Sequence, residues 1–218
     1  MDINYLLVPP RYKRFRKELS DKPFKLLDVG SSNGSSLLAK HWFPACIYHG
    51  LDISGANLSS AELAAMDKFV ECDLENGDLS ALNDGFYDVV VFAHVIEHLT
   101  NGLEVLAALT RKLAPGGRIY VEFPSVRSLS LPSAQNTLNF CDDPTHIRVY
   151  DIKEVANTLL AQRLRVVRAG ARREWARILL SPLTLPKQIA SLLKDGRLSA
   201  NGLWDLMGFA DFVYARRG

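Results

Sequence analysis

The chain has 218 residues, of which 48% are hydrophobic and 23% charged, with a formal net charge of +2; this composition is typical of one soluble globular domain. Its longest apolar runs, such as residues 89–93, are too short to cross a bilayer, and its start lacks a signal-peptide pattern. Three widely spaced cysteines form neither a disulfide framework nor a CxxC metal pair. We therefore expect a cytoplasmic protein.

Strand and helix signals alternate along most of the chain. Short apolar runs ending at turn residues predict strands at 25–29, 47–53, 68–72, 87–93, 118–123, 164–170 and 209–216. Helical patterns fall at 34–40, 57–66, 95–113 and 151–163, the last with Asp151 as its cap and Glu154 three residues later. This alternation predicts an α/β protein with a doubly wound, seven-stranded, mostly parallel sheet. About forty residues separate the last two strands, and we predict a helical insertion there.

Charge is distributed unevenly between the two halves. Residues 28–109 contain two basic and twelve acidic residues, whereas residues 110–218 contain 17 basic and 9 acidic ones. An acidic half suits a cationic ligand and a basic half an anionic one, but two differently solvated faces explain the same pattern. Charge alone therefore selects no function.

The turn after the first strand, residues 28–34 (DVGSSNG), gives the first functional signal. Glycines there let the backbone approach a ligand, and the following helix offers free N–H groups at its start. Asp52 and Asp73 end the next two predicted strands. Because the carboxyl ends of parallel strands meet at one edge of a sheet, we expect Asp28, Asp52 and Asp73 to form an acidic rim.

The negative charge of this rim indicates which kind of nucleotide-like ligand can bind there. The phosphate-binding patterns GxGxxG and GxxxxGK[ST] are absent, and an acidic side chain two residues before the turn repels a pyrophosphate. A nucleoside that carries a sulfonium and an ammonium, without phosphate, fits better. Helix capping explains any one of the three aspartates, but the ordered set favours a ligand.

Five segments in order resemble the motifs of class I S-adenosylmethionine-dependent methyltransferases; they are residues 26–34, 50–54, 72–74, 86–99 and 111–117. They are similar to the small-molecule branch that includes ubiquinone-type O-methyltransferases, over roughly residues 24–170. Ser32 departs from that family's usual second glycine, and the long segment before the last strand replaces a tight hairpin. The resemblance implies a Rossmann-like methyltransferase fold.

One domain is expected over residues 1–218. It comprises an N-terminal basic helix (1–23), a cofactor-binding core (24–170), a helical insertion or lid (171–208) and the last strand (209–218). The basic run 11–17 has interleaved aromatic residues, and we expect a solvated helix over the cofactor mouth rather than a nucleic-acid site.

The resemblance also implies S-adenosylmethionine as cofactor and assigns roles to individual residues. Asp28 is expected near the methionine ammonium and Asp52 at the ribose hydroxyls. Other implied cofactor contacts are Gly30, Ser31 and Gly34 along the backbone, Ile53 and Leu74 at the adenine ring, Asp73 at the adenine amino group, and His94 between cofactor and substrate.

A segment of the long loop, residues 142–150, carries the strongest substrate-side signal. A similar DPTHxR segment occurs in methyltransferases of bacterial surface-glycan and related small-molecule pathways. Methyl transfer to a hydroxyl benefits from a general base, for which histidine is the usual choice. His146 is the predicted base, with His94 the second catalytic residue and Arg148 placed to position an anionic group. Alternatively, His146 and Arg148 only pin the loop onto the sheet.

Residues 94–98 also spell HxxEH, the signature of an inverted class of zinc peptidases. The motif lies at a strand-to-helix junction and is accounted for by the methyltransferase pattern, so we expect no metal. Two alternatives stay open. One is a zinc-dependent hydrolase, and the other is a divalent cation on His94, Glu97 and His98, which resemble the positions that bind a cation in some ubiquinone-type relatives.

The predicted function is methyl transfer from S-adenosylmethionine to a small-molecule acceptor, at a hydroxyl. A non-catalytic or regulatory module that keeps the fold is the alternative, motivated by Ser32 and the basic N-terminal run. Within the insertion, the main helix is predicted at residues 186–195, and its apolar face must be buried. Burial within its own domain gives a monomer, and burial against a second copy gives a symmetric homodimer. A membrane surface is the third way in which this face can be covered.

Overall fold

The computed structural model describes residues 5–32, 34–76, 79–133, 138–180, 182 and 203–218. Within these residues, seven strands form one sheet in the order β3-β2-β1-β4-β5-β7-β6. They are β1 (Lys25–Val29), β2 (Ile47–Asp52), β3 (Lys68–Glu71), β4 (Tyr87–Ala93), β5 (Leu113–Pro124), β6 (Leu164–Ala171) and β7 (Ala210–Arg217). Only β7 runs antiparallel to its neighbours, β5 and β6. The predicted mostly parallel, seven-stranded sheet is confirmed.

Helices cover both faces of this sheet. They are α1 (Pro10–Leu19), α2 (Ser35–Trp42), α3 (Ser60–Ala65), α4 (Gly102–Arg111), α5 (Ile152–Ala161), α6 (residues 175–180) and α7 (Leu203–Met207). Successive residues of β1 point to opposite faces: Leu26 packs in the core of α1 and α2, and Leu27 in the core of α4 and α5. The basic helix α1 buries Tyr12 and Phe15, as its sequence predicts.

Two predicted boundaries are wrong. The helix predicted over residues 95–113 begins only at Gly102, because His94 has a left-handed backbone (φ 56°) and Leu99 is extended, with a single 3₁₀ turn between them. The strand predicted over residues 118–123 begins earlier, at Leu113, because residues 114–117 form an irregularity inside β5, whose pairing with β4 passes from Leu113 to Arg118. In contrast, Asp151 and Glu154 form the predicted capping box at the start of α5.

The predicted main helix of the insertion, residues 186–195, lies outside the described residues. On α6, Trp175 is 67% exposed and Leu179 75% exposed in the single chain. On α7, Trp204 packs against Phe209. In the part of the chain that the structure describes, no helix is long and apolar enough to cross a membrane.

Candidate active site

The turn between β1 and α2 is shaped by two glycines with left-handed backbones. Gly30 has φ 80°, and a Cβ there would lie 2.3 Å from Cγ2 of Val95. Gly34 has φ 76° and donates its N–H to Oε1 of Glu62 at 2.6 Å. Ser31 is fully buried, and Gly50 on β2 leaves the space that its hydroxyl occupies. The Ser31 hydroxyl is therefore packed against β2.

Asp28 is buried at the end of β1 and accepts a hydrogen bond from the Tyr48 hydroxyl at 2.7 Å. Burial raises the pKa of Asp28, while the nearby Arg11 guanidinium and the Tyr48 hydrogen bond act to lower it. Burial alone lowers the pKa of Arg11, but negative groups around it, including Asp28 and Glu122, outweigh that effect and its pKa is raised. The positive charge of Arg11 on α1 thus acts on the buried Asp28, an interaction that the sequence did not reveal.

Asp52 and Asp73 complete the acidic rim. The strand order β3-β2-β1 brings the ends of these strands together, with Asp52 paired in register to Glu71. Asp52 accepts the Ile53 N–H at 2.7 Å, and Asp73 accepts the Glu75 N–H at 2.9 Å, so both also stabilise their own turns. Ile53 is 67% exposed at this edge and available for a flat ligand. Leu74 is partly buried against the core.

His94 follows β4 and is held by two buried carboxylates. Its Nε2 lies 2.9 Å from Oε1 of Glu122, and its Nδ1 lies 3.2 Å from Oε1 of Glu97. Burial lowers the pKa of His94, but hydrogen bonds and charge from Glu122 and Glu97 more than compensate and raise it to about 9. At neutral pH this imidazole is therefore protonated, with both N–H groups committed to carboxylates.

Glu122 is the main residue that the sequence analysis missed. Burial raises its pKa, but the Arg172 charge and the His94 hydrogen bond prevail and lower it to about 2. The Tyr120 hydroxyl also donates to it. A charged residue within the apolar strand 118–123 was the available signal, but its partner Arg172 lies 50 residues away.

A cavity of about 150 Å³ opens beside His94. It is lined by His94, Glu97, His98, Asn139, Asp143, His146, Trp204 and Phe209. The structure therefore brings His146 of the long loop and His94, the two predicted catalytic residues, to one cavity. A larger cleft of about 800 Å³ beside α4 contains Leu74 but none of the predicted histidines.

His146 is oriented by the loop that carries it. Its Nδ1 lies 2.7 Å from the Phe140 carbonyl oxygen, so Nδ1 carries the hydrogen and Nε2 keeps its lone pair in the neutral ring. Asp143 Oδ2 lies 3.8 Å from Nε2. Arg148 pairs with Glu154 at 2.7 Å and does not line the cavity, so its predicted role toward an anionic substrate group stays a prediction.

The zinc geometry implied by HxxEH is not present. His94 lies before the 3₁₀ turn Ile96–His98 rather than on one helical face with His98, and its two ring nitrogens contact carboxylates. Among the described residues, Glu97, His98 and His146 do bring possible ligand atoms within 4.8 Å of one another, and Oε2 of Glu97 is buried without a hydrogen bond.

A doubly wound sheet with carboxylates at successive strand ends and a glycine turn after β1 defines the class I S-adenosylmethionine-dependent methyltransferase architecture. The profile of the methyltransferase domain family matches residues 6–169. The chain belongs to this family, and the predicted recognition and S-adenosylmethionine cofactor are confirmed.

Individual relatives agree with this assignment. The chain is similar to a ubiquinone biosynthesis O-methyltransferase of Nitrosococcus oceani, with 30% identity over 55% of this chain and 50% of that protein. The chain spans about half the length of the curated relatives it matches. Its fold is similar to a SAM-dependent methyltransferase from Archaeoglobus fulgidus (TM-score 0.63, 20% identity, 98% of this chain and 94% of the other). It is also similar to phosphoethanolamine N-methyltransferase 2 of Haemonchus contortus, solved with S-adenosyl-L-methionine (TM-score 0.63, 14% identity, 95% and 52% covered).

Proposed function

We propose that this protein transfers a methyl group from S-adenosylmethionine to a hydroxyl of a small-molecule acceptor. The observation that carries the proposal is the convergence of His146 and His94 on one cavity next to the strand ends that hold Asp28 and Asp52. S-adenosylmethionine supplies the methyl group when bound. The chain supplies the two binding surfaces and a group to take the acceptor proton.

The residues around Asp28 fit the cofactor's amino-acid end. That end is zwitterionic, so it needs an anion for its ammonium and a cation for its carboxylate. Asp28 and Arg11 provide this pair of opposite charges at one strand end. Asp52 would accept hydrogen bonds from the ribose hydroxyls, Ile53 would pack on the adenine, and Asp73 and Leu74 would hold the adenine amino group and ring.

On the acceptor side, His146 and His94 have different roles. His146 Nε2 accepts the hydroxyl proton, since its Nδ1–H is fixed on the Phe140 carbonyl. His94 is already protonated between two carboxylates and cannot take that proton. Its role is to form, with Trp204 and Phe209, the wall against which the acceptor is held.

Calorimetric titration with S-adenosylhomocysteine tests the cofactor site. Asp52→Ala should weaken binding by about 1–3 kcal/mol through lost hydrogen bonds. The matched control is Asp21→Ala, an exposed aspartate before β1, which should leave binding unchanged. No binding to the wild-type protein at millimolar ligand would overturn the proposal.

Turnover separates the catalytic function from the non-catalytic alternative. Methyl transfer should appear with some hydroxyl compounds in a panel of alcohols, phenols, amines and acids. Cofactor binding with no product across the panel would favour the regulatory module. Methylated amines without methylated hydroxyls would contradict the choice of acceptor atom.

A further inference from the structure

The guanidinium of Arg172 bridges two buried carboxylates from different parts of the fold. Its Nη1 donates to Oε1 of Glu122 on β5 at 3.1 Å, and its Nε lies 3.4 Å from Oδ1 of Asp205 on α7. The three side chains are 13%, 5% and 1% exposed, respectively. Arg172 therefore joins the end of the central sheet to the short helix before β7.

Both ends of this bridge reach the acceptor cavity. The oxygen of Glu122 that accepts from Arg172 also contacts His94 Nε2. Asp205 follows Trp204, whose ring centroid lies 5.1 Å from that of His94 and 4.4 Å from that of Phe209. The Arg172 guanidinium itself lies over the Trp204 ring at 5.6 Å. The position of Trp204 against His94 thus depends on where Arg172 holds α7.

Stability alone does not explain this arrangement. Desolvating such ions costs free energy that their attraction repays only in good geometry, and apolar replacements are often as stable. A charged bridge does, however, fix one discrete position of α7 relative to the end of the sheet. Asp205 also accepts the Glu174 N–H at 3.1 Å, and Glu174 pairs with Lys13 of α1 at 2.6 Å, so α7 is held from a second side.

We propose that Arg172 is a positioning residue that sets the acceptor wall: it acts through Glu122 and Asp205 to hold Trp204 on His94. Arg172 itself does not line the acceptor cavity. The assignment of this wall to the acceptor rests on the proposed function, whereas the position of Trp204 can be measured without turnover.

The test uses Trp204 as the single tryptophan, in the 218-residue chain with Trp42→Phe and Trp175→Phe. Arg172→Lys keeps the charge but lacks the planar fork that contacts two carboxylates. We expect acrylamide to quench Trp204 several-fold more strongly in Arg172→Lys than in the parent, with a similar thermal midpoint. Asp205→Asn should increase the quenching of Trp204 as well, because it removes the carboxylate that Arg172 contacts on α7. Arg173→Gln, at the exposed neighbouring arginine, is the matched control and should match the parent.

Two results would overturn the proposal: unchanged quenching in both Arg172→Lys and Asp205→Asn, or an equal increase in Arg173→Gln. Binding of S-adenosylhomocysteine, measured on the same proteins, should stay within twofold of the parent, about 0.4 kcal/mol. Failure of the parent itself to bind S-adenosylhomocysteine would contradict the proposed function while the Trp204 result still decides the role of Arg172. If an acceptor is found, Arg172→Lys should raise its KM more than it lowers kcat.

Discussion

His94 and Glu122 lie on adjacent strand ends with Nε2 and Oε1 2.9 Å apart, and this contact makes His94 a cation rather than a base. Glu97 contributes from the other side of the ring. In Glu122→Gln, one carboxylate is lost and the pKa of His94 should fall from about 9 toward its ordinary value of 6.5. Histidine-selective NMR titration measures this, with exposed His41 as an internal control. A His94 pKa that stays near 9 in the variant would show that Glu122 does not cause the shift.

The same contact makes stability depend on pH. Because the pKa of His94 is higher in the folded than in the unfolded chain, its stabilising contribution is complete below about pH 6.5 and is lost as pH rises through about 9. The difference in thermal midpoint between wild type and His94→Asn should therefore shrink between pH 7 and pH 10. If the difference in thermal midpoint stays constant between pH 7 and pH 10, His94 does not carry the stabilising positive charge.

Gly30 combines a left-handed backbone with a close approach to Val95. Gly30→Ala should lower the free energy of unfolding by about 2–4 kcal/mol, from backbone strain together with overpacking. Gly85→Ala is the control, because Gly85 also has a positive φ but has open space where a Cβ would lie. It should cost about 1–2 kcal/mol. Adding Val95→Ala to Gly30→Ala should recover only the overpacking part. Denaturant unfolding measures all three, and equal losses at Gly30 and Gly85 would exclude the steric contribution.

The features that could be predicted from the sequence are those that short local patterns determine. The strands β1 and β4, the glycine turn and the aspartates at strand ends are short patterns, and the structure places them at one edge. Contacts between distant segments left no such pattern: Glu122 meets Arg172 across 50 residues and His94 across 28. Such pairs appear only when the sheet order is known, because β5 lies beside β4 while its other neighbour is β7.

The two roles considered for His146, a general base and a structural residue that holds the loop on the sheet, lead to different predictions. As a base, His146→Gln should lower kcat by roughly 10²–10⁴-fold while leaving S-adenosylhomocysteine binding and the thermal midpoint nearly unchanged. If His146 only holds the loop, the same substitution should lower the thermal midpoint through the lost hydrogen bond to the Phe140 carbonyl. It should then raise the KM for the acceptor and leave kcat nearly unchanged. Steady-state kinetics with a hydroxyl acceptor from the panel, beside thermal melting, decides between them. His41→Gln, at an exposed histidine outside the cavity, is the matched control.

Arg11 provides a test of how the cofactor's amino-acid end is held. If its guanidinium receives the methionine carboxylate, Arg11→Gln should weaken S-adenosylhomocysteine by about 1.5–3 kcal/mol, the value of a hydrogen bond to a charged group. Methylthioadenosine has the same nucleoside but no carboxylate or ammonium, so its affinity should be unchanged in the variant. Arg16→Gln, an exposed arginine on the same helix, should affect neither ligand. Calorimetry with the two ligands measures the difference directly. Equal weakening of both would show that Arg11 supports the fold of the site rather than the carboxylate, since only the amino-acid end distinguishes the two compounds.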